Sequence, residues 1–485
     1  MTVAASRTAI DPQLRRLTLV VLAGAVMTLL DTTIVVVAIN ELGHQFHTSL
    51  ATVQWVMTGY LLALSMSIPV TGWAADRFGT RRVWLVALLL FITGSVLCGA
   101  AWSIGALIAF RVLQGFGGGL IMPVGQTILA RAAGPERMGR IMAVIAVPAM
   151  LAPVLGPVLG GLIVSGGSWR WMFFVNVPIC AVAVVLAMLM LPRDRDRVPN
   201  RLDLGGLALL SPGIALLVYG LSEAGKDNAR LLLAGTAGAV LILGFGLRAT
   251  RHARPLLDIT LLRRWSFGLS CAGLFAYAGV MSGLSFVLPL YFQLVRGESP
   301  LVAGAMLAPL GLGAMVTMPI SGRLTDRRDA RGVAVAGVVT MATSVALYTR
   351  LEPDTSLAGL AALLFLGGLG HGLVLPAMQA AAYAAVGRAE IASGTTVANI
   401  VVRVGMSLGT AVLAVVLQLS LVHTFPATGG SLAAVGRLTD PASRDTLTGV
   451  FAGSLWWIVG FAVVALGPAV LLALRGSSQP KRPEM

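Results

Sequence analysis

Gly72-Trp73-Ala74-Ala75-Asp76-Arg77-Phe78-Gly79-Thr80-Arg81-Arg82 interrupts two long apolar runs, and Gly322-Arg323-Leu324-Thr325-Asp326-Arg327-Arg328 does the same far down the chain. In each, a Gly is followed after three residues by Asp-Arg, where an apolar run ends. A polar device recurring at matching places between lipid-length runs marks an internal repeat. The chain therefore reads as two related helical halves inside a membrane.

Composition agrees with that reading. The 485 residues are 57% hydrophobic and only 11% charged, too few charges to cover a water-exposed surface. The formal charge of +15 does not mark a nucleic-acid binder, because the basic residues recur between apolar runs and do not gather on one face. All of them are Arg except Lys226 and Lys481. Cys98, Cys180 and Cys271 are odd in number, far apart and inside apolar runs, which argues against disulfides or a metal site. No Gly-x-x-x-x-Gly-Lys-Ser/Thr run is present to hold ATP, and no nucleophile–base pattern marks an enzyme.

A helix needs about 20 apolar residues to cross the bilayer core. Fourteen runs meet that need: about 17–39, 54–74, 82–102, 104–125, 140–163, 172–191, 204–221, 231–247, 266–291, 302–322, 332–350, 357–377, 393–421 and 450–474. The first follows Arg7, Arg15 and Arg16 and reads as a retained span, not a cleaved signal. An even count puts both ends on one side. That side receives the arginine clusters around Arg77, Arg131, Arg193, Arg248 and Arg323. The other side holds only Arg170, Lys226, Arg230, Arg296, Arg350, Arg437 and Arg444. The asymmetry is more than threefold and assigns both termini to the cytoplasm. The expected architecture is an all-α membrane bundle of 14 transmembrane helices. It has an N-terminal six-helix half (1–192), a two-helix insert with charged connectors (193–264), and a C-terminal six-helix half with a short tail (265–485).

Only one carboxylate, Asp31, lies well inside an apolar run, between Val26-Met27-Thr28-Leu29-Leu30 and Thr32-Thr33-Ile34-Val35-Val36. On insertion scales Asp at that depth costs roughly 2.5–3.5 kcal/mol, so it is seldom kept without a function. Taking up a proton removes the cost, and a side chain that alternates between two protonation states can couple proton flow to another movement. Arg111 lies at a similar depth in the fourth run. A guanidinium nearby favours the carboxylate, whereas burial disfavours it. Two roles fit the pair: a proton-coupling centre, or a permanent ion pair that holds geometry.

Further stretches carry a family resemblance. They are Leu30-Asp31-Thr32-Thr33-Ile34-Val35, Gln54-Trp55-Val56-Met57-Thr58-Gly59-Tyr60, Gly72 to Arg82, Arg111-Val112-Leu113-Gln114-Gly115, and Gly156-Pro157-Val158-Leu159-Gly160-Gly161. Trp169-Arg170-Trp171 with Asn176 and Pro178, and Asn399 to Arg403 with Gly405 and Gly409, also fit. In this order the chain resembles the major facilitator superfamily, and more narrowly its fourteen-span drug:proton antiporter branch. It departs at Ala152, where the antiporter motif usually opens with Gly, and at Asn40, where the first-span signature often ends in Pro.

The resemblance implies a fold of two rocking halves around a central cavity, driven by the proton gradient with no cofactor. It implies a cytoplasmic latch made by Gly72, Asp76, Arg77, Gly79 and Arg81, with Asp326 and Arg327 as its echo; the alternative is arginines that only set topology. Pro153, Gly156, Pro157, Gly160 and Gly161 fit a bent, tightly sealing fifth span, or ordinary helix packing. His371, in a glycine-rich run, is either a second proton site or a cross-helix hydrogen-bonding group. Arg403 is either a ligand contact or a structural partner. Gln54, Trp55, Tyr60, Gln114, Gln126, Tyr277, Phe286, Tyr291, Gln379 and Asn399 are candidates to line a cavity for a lipophilic small molecule, or to serve plain packing.

The expected function is multidrug efflux by proton antiport, carried out by a monomer in the lipid bilayer of the cell membrane. Two other readings stand beside it: an exporter of one metabolite, such as an antibiotic, siderophore or lipid, and a sensor or scaffold that does not transport.

Overall fold

The computed structural model describes residues 12–133, 141, 156, 159–163, 167–192, 201–327, 330–352, 355–428, 435 and 441–476. Among the described residues every regular element is a helix. The chain enters through α1 (Pro12–Ile34), tightens into a 3-10 turn at Val35–Ala38, and continues as α2 (Ile39–Gln45). α3 (Leu50–Ser67), a 3-10 turn at Ile68–Val70 and α4 (Thr71–Phe78) make one interrupted span. α5 (Thr80–Gly99), α6 (Ile104–Ala133), α7 (Trp171–Phe174) and α8 (Asn176–Met190) follow, then the pair α9 (Leu204–Ser222) and α10 (Asn228–Arg251). The rest comprises α11 (Trp265–Leu294), α12 (Pro300–Ala305), α13 (Ala308–Arg327), α14 (Ala330–Tyr348), α15 (Leu357–Ala384), α16 (Ile391–Thr424) and α17 (Pro441–Gly476).

Among the described residues, thirteen helical stretches are long and apolar enough to cross a membrane, and they coincide with thirteen of the fourteen expected spans. The expected fifth, about 140–163, lies mostly outside the described residues. Large apolar side chains such as Leu189, Leu233 and Leu247 are well exposed, as lipid-facing residues are in a bilayer protein.

Helix ends follow from local chemistry. Ser49, Asp203 and Ser356 each accept a hydrogen bond from the backbone N–H three residues on, satisfying a first-turn donor. Pro69 has no N–H to give, and the helix tightens there into the 3-10 turn. Between α4 and α5, Gly79 takes φ +89°, a conformation that costs a side-chain-bearing residue energy, and its N–H caps the Ala75 carbonyl at 3.1 Å. Helices also outrun the apolar runs. α17 begins at Pro441 although its span was expected from about 450, and α16 reaches Thr424, so the expected outer connector 422–449 is shortened from both ends. Hydropathy locates where lipid ends, not where backbone hydrogen bonding ends.

The chain divides into two compact units: Met1–Leu202 with Gly387–Thr396, and Asp203–Val386 with Val397–Met485. In the first, α6 is the packing hub. Gly115 faces the Tyr60 carbonyl and Gly119 the Leu64 carbonyl on α3, while Gly117 faces the Ala87 carbonyl on α5. A Cβ would lie 2.5 Å from the Tyr60 oxygen and 2.8 Å from that of Ala87, so only glycine lets the backbones approach this closely. In the second unit α15 repeats the pattern. Gly368 and Gly372 face the Leu310 and Ala314 carbonyls on α13, and Gly370 faces the Gly337 carbonyl on α14. The same Gly-x-Gly-x-Gly spacing serves both. On that register Arg111 corresponds to Leu364, and Gly118 to His371.

Candidate functional site

The glycine-mediated contact of α5 with α6 sets the site. Gly94 lies against the Gln114 backbone, which brings Ser95 on α5 level with Arg111 and Gln114 on α6. α1 supplies Asp31 and α8 supplies Asn176. Asp31 is 0% and Arg111 1% exposed. The Arg111 Nη1 donates to Asp31 Oδ2 at 2.6 Å, while Gln114 Nε2 and Asn176 Nδ2 donate to Asp31 Oδ1 at 2.9 and 2.8 Å. Arg111 also donates to the Val56 carbonyl (3.2 Å) and to Gln114 Oε1 (2.8 Å), and its guanidinium stands 4.0 Å from the Tyr60 ring centroid. Ser95 ties the set together. Its Oγ accepts from Gln114 (3.2 Å) and Asn176 (3.1 Å) and donates to the Phe173 carbonyl (2.9 Å).

Among the described residues, every group that hydrogen-bonds to Asp31 donates to it. Such a shell suits a carboxylate, which only accepts. Burial of an ion pair is tolerated where further hydrogen bonds serve both partners, as here.

α1 is weakened around the carboxylate. The Oγ1 atoms of Thr28, Thr32 and Thr33 donate to carbonyls three or four residues back, competing with helical bonding. The 3-10 turn begins four residues after Asp31. Gly156 abuts Thr33 so closely that a Cβ there would collide with its hydroxyl. Beyond Asp31 an apolar cluster of Ile34, Leu42, Val53, Leu107, Trp169 and Phe173 fills the space. There the Trp169 Nε1 donates to Gln45 Oε1, and the Arg170 guanidinium stands 4.5 Å from the Trp169 ring.

The loop motif of the first half has its own geometry. Asp76 Oδ1 pairs with Arg131 Nη2 at 2.6 Å, at the far end of α6. Arg81 Nη2 donates to the Met188 carbonyl (2.7 Å), one of the last carbonyls of α8, which lack helical partners. Arg77 is exposed. Gly72 lies against Ala392 and Thr396, and the Thr71 and Thr396 hydroxyls are 2.8 Å apart. Pro153 and Pro157, and the side chains of Asp326 and Arg327, lie outside the described residues. Gly160 is buried, and Gly161 has nothing within 4 Å of where a Cβ would stand.

The cavity candidates scatter. Tyr60 and Gln114 join Asp31; Gln126 is buried further along α6. His371 is buried at 5% exposure, its Nδ1 lying 2.6 Å from the Tyr277 hydroxyl and 3.0 Å from the Met281 sulfur. Tyr291 packs in the second unit's apolar core against Phe292 and Phe451. Phe286, Gln379, Asn399 and Arg403 are half-buried, and Gln54 and Trp55 are exposed. Ser95, Asn176 and Arg131 were not among the site residues read from the sequence. Asn176 entered only through the motif it shares with Trp169-Arg170-Trp171 and Arg131 only as a topology arginine, while Ser95 is just a polar residue inside an apolar run.

A family model described as Major Facilitator Superfamily matches residues 21–410. A Mycobacterium tuberculosis protein named Multidrug resistance protein B homolog is 38% identical over 422 residues, covering 86% of this chain and 78% of that protein. An Escherichia coli protein named Putative multidrug resistance protein MdtD is 30% identical over 407 residues, covering 82% of this chain and 85% of its own length. Among solved structures, the human organic anion transporter MFSD10 superposes with a TM-score of 0.64 at 18% identity, over 96% of this chain and 100% of that one.

Proposed function

Because this chain belongs to the major facilitator superfamily, we propose that it is a proton-coupled antiporter exporting lipophilic toxic compounds across the cell membrane. Membership makes it a multi-pass membrane transporter and not an enzyme. The names of its relatives support efflux of many drugs. One observation carries the proton coupling: the fully buried Asp31 carboxylate accepts from Arg111, Gln114 and Asn176 at once.

In the proposed cycle the ionised pair belongs to one state. A proton reaches Asp31 only when the helices holding its donors separate, so protonation and conformational change are the same event seen from two ends. Substrate exchange on the opposite stroke returns the carboxylate to its shell. Asp76 with Arg131, and Gly72 against the start of α16, act as the cytoplasmic latch, and His371 with Tyr277 as a second protonatable centre. The reading includes fourteen spans, two six-helix halves with a two-helix insert, both termini in the cytoplasm, and action as a monomer. A lone acid at mid-depth suits neutral or singly cationic cargo better than dications.

The test is drug-induced proton release from proteoliposomes, comparing the wild type with Asp31→Asn. Release is expected in the wild type and at background in the variant. Unchanged release in the variant removes Asp31 from the coupling; release in neither removes antiport.

A further inference from the structure

One end of α10 plays no part in this cycle. Leu233, Val240, Leu243 and Leu247 are 64 to 76% exposed, and at 100° per residue they form one narrow stripe along the helix. Arg251 continues the stripe one turn beyond Leu247. A hollow of about 380 Å³ lies at that junction, lined by Leu247, Arg248, Arg251 and His252. Arg248 is engaged, donating through Nε and Nη2 to Asp203 Oδ1 at 3.1 and 2.8 Å. Arg251 has no carboxylate partner among the described residues, and it is exposed, as are His252 and Arg254. Across 248–264 the sequence places Arg248, Arg251, Arg254, Arg263 and Arg264 against a single acid, Asp258.

We propose that this hollow binds the phosphate of an anionic phospholipid, with Arg251 and His252 meeting the headgroup and the Val240–Leu247 stripe carrying an acyl chain. Charge complementarity and the continuity of stripe and hollow select this occupant. A soluble phosphate would use only the basic end and leave the apolar stripe unexplained. A zwitterionic lipid offers the same phosphate, but its ammonium cancels that charge and leaves the basic end with less to gain. From Val240 to Arg251 the helix rises about 16 Å, close to the depth of one leaflet. The site rests on the membrane reading alone and not on proton coupling, so it stands or falls separately from antiport.

The experiment is native mass spectrometry of the full chain in detergent, titrated in parallel with phosphatidylglycerol and phosphatidylcholine of identical chains, and with inorganic phosphate. The wild type is expected to retain phosphatidylglycerol at least about fivefold better than phosphatidylcholine, the increment of one interfacial arginine. The Arg251→Ala/His252→Ala variant is expected to lose that preference, Arg251→Lys to keep most of it, and Arg230→Ala, at the other end of α10, to keep all of it. Leu243→Gln/Leu247→Gln is expected to weaken both lipids alike. Equal retention of the two lipids by the wild type overturns the proposal, as does a preference that survives in the double alanine variant. Inorganic phosphate binding as tightly as the lipid overturns the acyl contact. Monodispersity of each variant by size-exclusion chromatography separates loss of the site from loss of the fold.

Discussion

At the scale of the residue, Asp31 was legible because a charge is conspicuous in an apolar run, and Arg111 for the same reason. Ser95 was not, and Asn176 was legible only as part of a motif, not as a partner of Asp31. Neutral polar side chains are inexpensive in membrane helices and carry little sequence signal. Their partners also sit on other helices, with Asn176 reaching a carboxylate 145 residues earlier in the chain. The shell's energetics can be checked by a double-mutant cycle. Arg111→Leu leaves a buried carboxylate without its counter-ion and is expected to cost about 3–5 kcal/mol. The same change in an Asp31→Asn background is expected to cost markedly less, because no buried charge is stranded. Thermal unfolding of the four purified proteins in one detergent measures the coupling; simple additivity would mean the pair is not energetically linked.

At the scale of the element, hydropathy found the spans but missed their interruptions. The 3-10 turns at Val35–Ala38 and Ile68–Val70 lie within apolar sequence and the start of α17 lies in polar sequence, and hydropathy registers neither kind of feature. Small residues set how closely helices approach, and they can be tested against one another. Gly117→Ala and Gly370→Ala place a Cβ against a neighbouring backbone carbonyl, at 2.8 and 2.7 Å, and should each destabilise by about 1–3 kcal/mol. Gly246→Ala, with nothing within 4 Å, should stabilise α10 by up to about 1 kcal/mol. Melting temperatures of the three variants should fall on opposite sides of the wild type.

Asp203 gives a pH-dependent case at the same scale. Burial pushes its carboxyl up, but the hydrogen bond from Arg248, the Gly206 and Leu256 N–H groups and the Arg248 charge outweigh burial and hold it below its ordinary value. A carboxyl lowered on folding contributes stability above its unfolded value, and that stability is lost as pH falls through its folded value. Asp203→Asn should therefore melt below the wild type at pH 7, and the gap should close as pH falls below about 4. A gap that stays constant with pH would assign the loss to the helix cap and not to the charge.

At the scale of the whole molecule, the Asp76–Arg131 pair joins the end of α4 to the end of α6, across 55 residues of sequence. Asp76→Arg and Arg131→Asp are each expected to lower efflux, and the double exchange to recover part of it. Transport counted per molecule in proteoliposomes is the readout. Failure of the exchange to recover any activity would leave Asp76 with a role other than pairing. The two glycine motifs were read as a repeat, and they did not say which unit holds α9 and α10. That grouping depends on contacts such as Gly225, φ +74°, lying against the Ala414 carbonyl of α16. By itself the sequence determined the membrane class, thirteen of the spans and the anomalous acid, because these follow from transfer energies summed along the chain. Tertiary structure alone decided which groups surround that acid, because hydrogen-bond partners are chosen by proximity in space, and helix packing brings together residues that no sequence spacing connects.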